Sequence, residues 1–483
     1  MKYDKDLYAA HLAGMVQCPT VSSVDPEKTR VPEFQKLHAY LETAYPLVHK
    51  TMTREILGKC ALVYHWKGTG KSGKLPVLVC AHQDVVPEGD WNDWKYPPFS
   101  GHIDEEGVLW GRGCTDCKHV MQAELDAAEA LIAEGFVPDY DIYMAFGYNE
   151  EIMGGPGAAC QIISDEFKAR GLRFGLVLDE GGGVMNMGGR DVAMIFASEK
   201  GYADHEFTIR DAGGHASMPP EHNALGRLGN AMYLLESNPM EPKLTAPVIE
   251  MFKAQAAITP GPMGELFADP EGNWDKLREI CVASRQLNTY VRTTTTPTMA
   301  KGSDQANILP ESASIVTNSR LLPGETLDDL MAHFKKVLPE EVEIRLLKGH
   351  NPPAVSRTDS PAYHLLEKIV HEMHGDDVYV MPALVPGGTD SRYYCDLSDS
   401  VYRFVGGRGS VKSGGAHQVN EHIDTAVLAS NVEFFVRVFQ EYAKELFYPS
   451  PFPPPHGGGF FLFKSTCPPP QARVFLLLST ARK

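Results

Sequence analysis

Three short apolar runs constrain this chain more than anything else in it. Residues 75–81 (Leu-Pro-Val-Leu-Val-Cys-Ala), 142–146 (Ile-Tyr-Met-Ala-Phe) and 174–178 (Phe-Gly-Leu-Val-Leu) are of strand length and nearly free of polar side chains. Such runs suit a parallel sheet covered by helices on both faces. Each leads into a turn bearing histidine or acid: His82-Gln-Asp84, Asn149-Glu150-Glu151 and Asp179-Glu180-Gly-Gly-Gly183. In open α/β sheets, sites form outside the carboxyl ends of the strands, so these turns are expected to meet.

Taken singly, each turn has an ordinary reading. An acidic pair on a surface is usually solvated charge, and His82 with Asp84 could be a core histidine beside a turn aspartate. The two are two residues apart, so on a persisting strand both point to one side. Asp84 is then placed to accept the second ring N–H of a metal-bound imidazole, or to pack beside His82. Glu150 and Glu151 point in different directions, which lets one bind a metal while the other faces a bound water. The turn Gly111-Arg-Gly-Cys-Thr-Asp116-Cys-Lys118 precedes a helix with apolar positions at Val120, Leu125, Ala128, Leu131 and Ile132, stopped at Gly135. Asp116 there could be no more than an N-cap.

Helices are expected over residues 6–17 and 33–44, a strand near 61–65, and a helix of about 12 residues from Gly157. Near Glu199 the pattern changes. Residues 202–210 alternate like a strand with one solvated face, a loop carries His215, and a helix starts near Asn223. A long, less regular stretch runs to about Thr298. Strands at 313–322 and 342–347 then flank a helix at 326–337. This predicts a small α+β domain (199–351) inserted into a mostly parallel α/β domain made of 1–198 and 352–448. The second part holds a helix from Ser360, the turn Pro386-Gly-Gly-Thr-Asp390-Ser-Arg392, a strand at 401–405, Ala416-His417-Gln-Val-Asn-Glu421-His422 and a closing helix at 424–446. Residues 449–483, rich in proline and glycine, read as a poorly ordered tail outside the core.

A formal net charge of −17 argues against nucleic acid or an anionic membrane as partner. No apolar stretch reaches about 18 residues, and the N-terminus lacks the apolar core of a secretory signal. Nine cysteines in 483 residues fit reduced thiols in a cytoplasmic protein. Cys114-Thr-Asp-Cys117 has redox or zinc-ribbon spacing but no second such pair.

In order, these blocks resemble the M20 metallopeptidase and amidohydrolase family, which includes aminoacylase-1, succinyl-diaminopimelate desuccinylase and carboxypeptidase S-like enzymes. The resemblance covers about residues 75–446. It rests on His82-x-Asp84, Gly111-Arg-Gly-x-x-Asp116-x-Lys118, Glu150-Glu151-x-x-Gly-Gly, Asp179-Glu180-Gly, Gly214-His215-x-Ser, Gly387-Gly-Thr-Asp390-x-Arg392 and His417-x-Val-Asn-Glu421. Glu199-Lys-Gly-Tyr and the long insert look most like the carboxypeptidase S branch.

The resemblance implies two zinc ions, with cobalt or manganese as substitutes. His82 and Asp179 would hold one, Glu151 and His417 the other, and Asp116 would bridge them. Glu180 could replace Asp179, and His422 could compete with His417. Glu150 would be the general base with Asp84 in support, and His215 would stabilise the oxyanion. Asn307, Arg320, Gly388 and Thr389 would bind substrate, Arg320 as the fork for a carboxylate. Arg320 in an ordinary ion pair and Asn307 as a loop cap remain alternatives. The expected activity is hydrolysis of an amide next to a free carboxylate, in a dipeptide or N-acyl amino acid. An aminoacylase of the same family and a non-catalytic metal-binding protein are the rivals. A homodimer through the inserted domain is expected. Cys114 and Cys117 flank the bridging position, where relatives often carry small or acidic residues, and either perturb metal choice or pack inertly.

Overall fold

A computed structural model describes residues 3–152 and 157–444. The expected tail at 449–483 and the Gly-Gly that follows Glu151 fall outside the described residues.

The fold is mixed α/β, built on an eight-stranded, mostly parallel sheet. In spatial order its strands are Thr53–Leu57, Ala61–Trp66, Ile142–Gly147, Val77–His82, Leu176–Met187, Val401–Arg408, Arg190–Glu199 and Tyr379–Val385. The central strands Val77–His82 and Ile142–Gly147 are buried at every position, which explains their unbroken apolar sequence. Leu78, Cys80, Tyr143 and Ala145 pack on one face against Ile163 and Phe167 of helix Ala159–Ala169. Helices Lys118–Ala133 and Ala426–Glu441 cover the other face.

The third apolar run does not stop at Leu178. Its strand continues through the three glycines to Met187 and turns back as an antiparallel partner of Arg190–Glu199. A Cβ on Gly182 would lie 1.9 Å from the carbonyl oxygen of Met194, so glycine here lets two backbones touch rather than ending the strand. Against Val401–Arg408 the ladder slips: Asp179 faces Arg403 and Gly182 faces Phe404. Glu180 and Gly181 are therefore extra residues, a bulge that re-aims the side chain of Glu180.

A second, four-stranded antiparallel sheet comprises, in order, Thr294–Lys301, Ser312–Leu321, Gly201–Arg210 and Glu343–His350. One face presents Ala203, Phe207, Ile209, Ala313 and Ile315 to helices Ala224–Ser237 and Leu327–Val337. By alternation the other face carries Tyr202, Asp204, Asn318, Arg320 and Lys348.

The stretch expected to be less regular up to Thr298 is instead largely helical: Ala246–Ala256, Pro262–Ala268, Trp274–Ala283 and Arg285–Val291. Prolines at the first turns of two of them punctuate the sequence without excluding helix. Val248, Met251 and Phe252 pack with Ala383 and Leu384 of the large sheet's edge strand. Among the described residues, no helix is long and apolar enough to cross a membrane.

Candidate metal centre and active site

His82 ends its strand beside Gly147 in the register of the central pair, so the turns carrying His82 and Glu150-Glu151 leave the sheet side by side. His82 is 1% exposed. Its Nδ1 donates to the backbone carbonyl of Asp84 at 2.9 Å, which turns Nε2 toward Asp116 Oδ1 at 3.1 Å and Glu180 Oε1 at 3.3 Å. The other oxygen of Asp116 lies 3.0 Å from His417 Nε2, and Glu151 Oε2 lies 2.9 Å from that same nitrogen. One carboxylate thus spans two imidazoles, and each imidazole has a further acid of its own.

Burial would raise the Asp116 carboxyl, but hydrogen bonds with His417 and His82 outweigh it and hold the group well below the usual carboxylate range. Hydrogen bonds to Asp116 and Glu151 push His417 up to about 10. Burial also raises Glu151. These are the electrostatics of a site where acids crowd and a proton on each imidazole stands in for a bound cation.

Asp179 does not join this cluster. Its Oδ2 accepts from Ser391 N at 2.7 Å and its Oδ1 from Glu180 N at 2.9 Å. The expected placement of Asp179 beside His82 is therefore corrected to Glu180, because the bulge reverses which acid faces the imidazole. His422 is also outside the cluster: it stacks on Trp110 at 4.6 Å and bonds Asn420 O through Nδ1 at 2.7 Å. His417, with φ of 61°, is held in the left-handed region that non-glycine residues rarely occupy.

Asp84 works differently from expectation. Its carboxylate accepts from Ser22 Oγ at 2.6 Å, Glu150 N at 3.1 Å and Glu151 N at 3.2 Å, while its contact with His82 Nδ1 is the longer 3.5 Å. The buried aspartate fixes the backbone of the Glu150-Glu151 turn. The Glu150 carboxylate accepts no hydrogen bond from any described residue and makes no ion pair. Burial and the neighbouring acids Asp390, Glu180 and Glu151 raise its pKa above the usual carboxylate value.

His215 is exposed, with Nδ1 2.7 Å from Ser217 Oγ rather than bonded to the cluster. Asn307 lies in the same region, its carbonyl accepting from Ala216 N at 3.0 Å. Arg320 stacks over Tyr202, 4.7 Å from the ring centroid, and forms no ion pair among the described residues. Thr389 is buried, and its N and Oγ1 both donate to Glu199 Oε2, at 3.0 and 3.1 Å. Both donors of Thr389 are thereby engaged by the buried Glu199. Gly388 is half-buried beside it. Cys114 and Cys117 are fully buried, and Cys117 Sγ accepts from His82 N at 3.2 Å. With His82 and Glu180 it forms a second possible donor group.

Glu421 carries more of the site than its sequence suggested. Fully buried, it accepts from Arg112 Nη1 (2.8 Å) and Gly113 N (3.0 Å) on one oxygen. Thr115 N (2.8 Å), Thr115 Oγ1 (2.7 Å) and Asp116 N (3.2 Å) fill the other. It ties the loop of His417 to the loop of Asp116. Asp390 is close enough to the sheet end that a Cβ on Gly147 would lie 2.5 Å from its Oδ2. Burial of a carboxylate, which marks both residues, leaves no trace in a single sequence.

The donor set fits a pair of divalent ions: imidazole and carboxylate ligands, one carboxylate shared, and the second ring nitrogen of His82 fixed by the Asp84 carbonyl. Comparison with known proteins agrees. The description "Peptidase family M20/M25/M40" matches residues 78–441. Carboxypeptidase S of Saccharomyces cerevisiae is 31% identical, over 89% of this chain and 84% of its own length. The N-fatty-acyl-amino acid synthase/hydrolase PM20D1 of Xenopus tropicalis is also 31% identical, over 92% of this chain and 86% of its own length. The crystal structure of the M20 family metallo-carboxypeptidase Sso-CP2 from Sulfolobus solfataricus superposes with a TM-score of 0.65 at 17% identity, covering 89% of this chain and 99% of that one. The chain belongs to peptidase family M20/M25/M40 and is an enzyme that hydrolyses amide bonds.

Proposed function

We propose that this enzyme is a dizinc carboxypeptidase or dipeptidase acting on an amide next to a free carboxylate. Cobalt and manganese are chemically acceptable replacements for zinc. His82 and Glu180 would hold one ion, His417 and Glu151 the other, with Asp116 shared. The placement of Asp116 between two imidazoles, with Glu150 adjacent yet unengaged, is the observation that carries this reading. A bound metal pair supplies Lewis acidity and a water acidic enough to react near neutral pH. Glu150 accepts the proton of the attacking water and returns it to the leaving amine. Asp84, anchored by Ser22, holds the Glu150 backbone in place for both transfers. His215 stabilises the oxyanion, delivered by closure of the inserted domain (199–351) or from a second copy.

The relatives support both peptide and N-acyl amino acid substrates, so an aminoacylase is the second reading. A homodimer through the inserted domain belongs to the proposal. Its support is exposed Leu225 and Tyr233 on helix Ala224–Ser237 and Met299 on the small sheet's edge strand. The eight unpaired thiols among the described residues support a reducing compartment such as the cytoplasm.

Hydrolysis of a panel of dipeptides and N-acyl amino acids by wild type and Glu150→Gln tests the reading. The variant should lose turnover by about 10²–10⁴-fold or more. Equal rates in the two proteins would remove Glu150 as the base, and a wild type that binds metal but cleaves nothing would favour a non-catalytic binder.

A further inference from the structure

The polar face of the small sheet carries the cations Arg320 and Lys348 around the acid Asp204. Tyr202 is paired in register with Arg320 on one side and His350 on the other, and Asp204 with Asn318 and Lys348. Asp204 spends both oxygens on neutral donors, Tyr202 OH at 2.6 Å and Asn318 Nδ2 at 2.8 Å. Arg320 and Lys348 flank the Tyr202 ring, at 4.7 and 5.8 Å from its centroid. Neither forms an ion pair among the described residues, and Arg320 gives only its Nε, to Asn318 Oδ1 at 3.1 Å.

This face meets the catalytic turn. Lys348 Nζ donates to the carbonyl of Ile152 at 2.7 Å, the residue directly after Glu151. A third cation, Arg392, donates to Thr389 O at 2.6 Å and to Tyr393 OH at 3.1 Å, again with no carboxylate partner. Its Nε and the Nε2 of His350 are buried here without partners. The fields of Asp204, Glu150 and Arg392 all reach Arg320 and Lys348, and those of Asp390, Glu150 and Glu199 reach Arg392. In a protein of net charge −17, three half-buried cations that form no ion pair among the described residues mark a place for a negatively charged ligand group.

We propose that Lys348 and Arg392 join Arg320 in gripping the substrate's free carboxylate, and that Lys348 is a specificity-determining residue. This rests on the hydrolase reading of the same site and adds the residues that enforce its charge selectivity. Lys348 reports on both ends of the substrate at once: its ammonium can face the carboxylate while holding the backbone that positions Glu150. Because a carboxamide lacks the charge, a substrate blocked in that way forfeits charge-assisted hydrogen bonds.

The test is calorimetric binding of N-acetyl-leucine and N-acetyl-leucinamide to the full-length protein as purified, for wild type, Lys348→Met, Lys348→Gln and Lys348→Arg. The acid should bind wild type roughly 10- to 100-fold more tightly than the carboxamide. Lys348→Met and Lys348→Gln should each lose about tenfold on the acid alone, Lys348→Arg should recover most of it, and carboxamide binding should be unchanged throughout. Equal binding of acid and carboxamide by wild type overturns the proposal. So does a loss that falls equally on both ligands, which would make Lys348 only a brace for Ile152. Either folded neutral variant suffices for this decision. Charge-selective binding in a protein that hydrolyses nothing would refute the hydrolase reading and leave this one standing.

Discussion

Glu421, on the large-sheet side of the site, and Lys348, on the small sheet, are held in opposite ways. Glu421 is a fully buried anion whose two oxygens receive five hydrogen bonds from one turn. Lys348 is a half-buried cation with a single carbonyl partner and no ion pair among the described residues. The large-sheet wall, with Glu421, Asp84 and Asp116, is preorganised by the chain itself. The small-sheet wall, with Arg320, Lys348 and exposed His215, leaves its charges open to whatever enters. Such a division suits catalysis, in which reacting groups are fixed in advance and substrate contacts form on binding.

The largest effect should come from breaking the preorganised wall. Glu421→Ala strands Arg112 and four other donors, and removal of one partner of a buried ion pair costs about 3–5 kcal/mol. Urea unfolding should show that loss, with weaker metal retention in whatever folds; wild-type stability would mean the nest is dispensable. A smaller loss is expected from Ser22→Ala, which removes the 2.6 Å hydrogen bond to Asp84. About 1–3 kcal/mol of stability should go with a fall in kcat larger than any change in KM, measured with a dipeptide; an isolated KM effect would place Asp84 outside the catalytic turn.

A pH-dependent effect is expected at the junction of the two sheets. Lys200 lies between strand Arg190–Glu199 of the large sheet and Gly201–Arg210 of the small one, and its Nζ donates to Thr289 O and Arg292 O. Burial lowers its pKa to about 7. The unfolded chain then binds more protons than the folded one from pH ~7 up to the free lysine value of about 10.4. The Lys200 contribution to stability should therefore rise with pH across that window. Thermal unfolding of Lys200→Met should show a flatter pH dependence there than wild type; parallel profiles would mean that Lys200 titrates normally.

The legible part of this protein was what periodicity and turn chemistry determine. The buried central strands declared themselves through unbroken apolar runs, and their ends located His82 and the Glu150-Glu151 pair. The choice between Asp179 and Glu180 was not legible, because it depends on a bulge set by the ladder to Val401–Arg408, more than two hundred residues away in sequence. The role of Asp84 was half legible: its position beside His82 was readable, but its bonds to Ser22 and two backbone amides required the fold. Glu421 stood inside a recognisable block, yet nothing in the sequence revealed that it is buried. The helices between 246 and 291 were hidden because prolines and short lengths weaken a 3.6-residue pattern. Lys348 fell just beyond the strand expected at 342–347, and only the small sheet, which extends to His350, brings it against Ile152.

Zinc content per chain after extensive dialysis, compared among wild type, Glu150→Gln and Asp116→Ala, tests the central claim most directly. The shared carboxylate predicts close to two ions in the first two proteins and fewer than one in Asp116→Ala. Two ions retained without Asp116, or none bound by wild type, would contradict it.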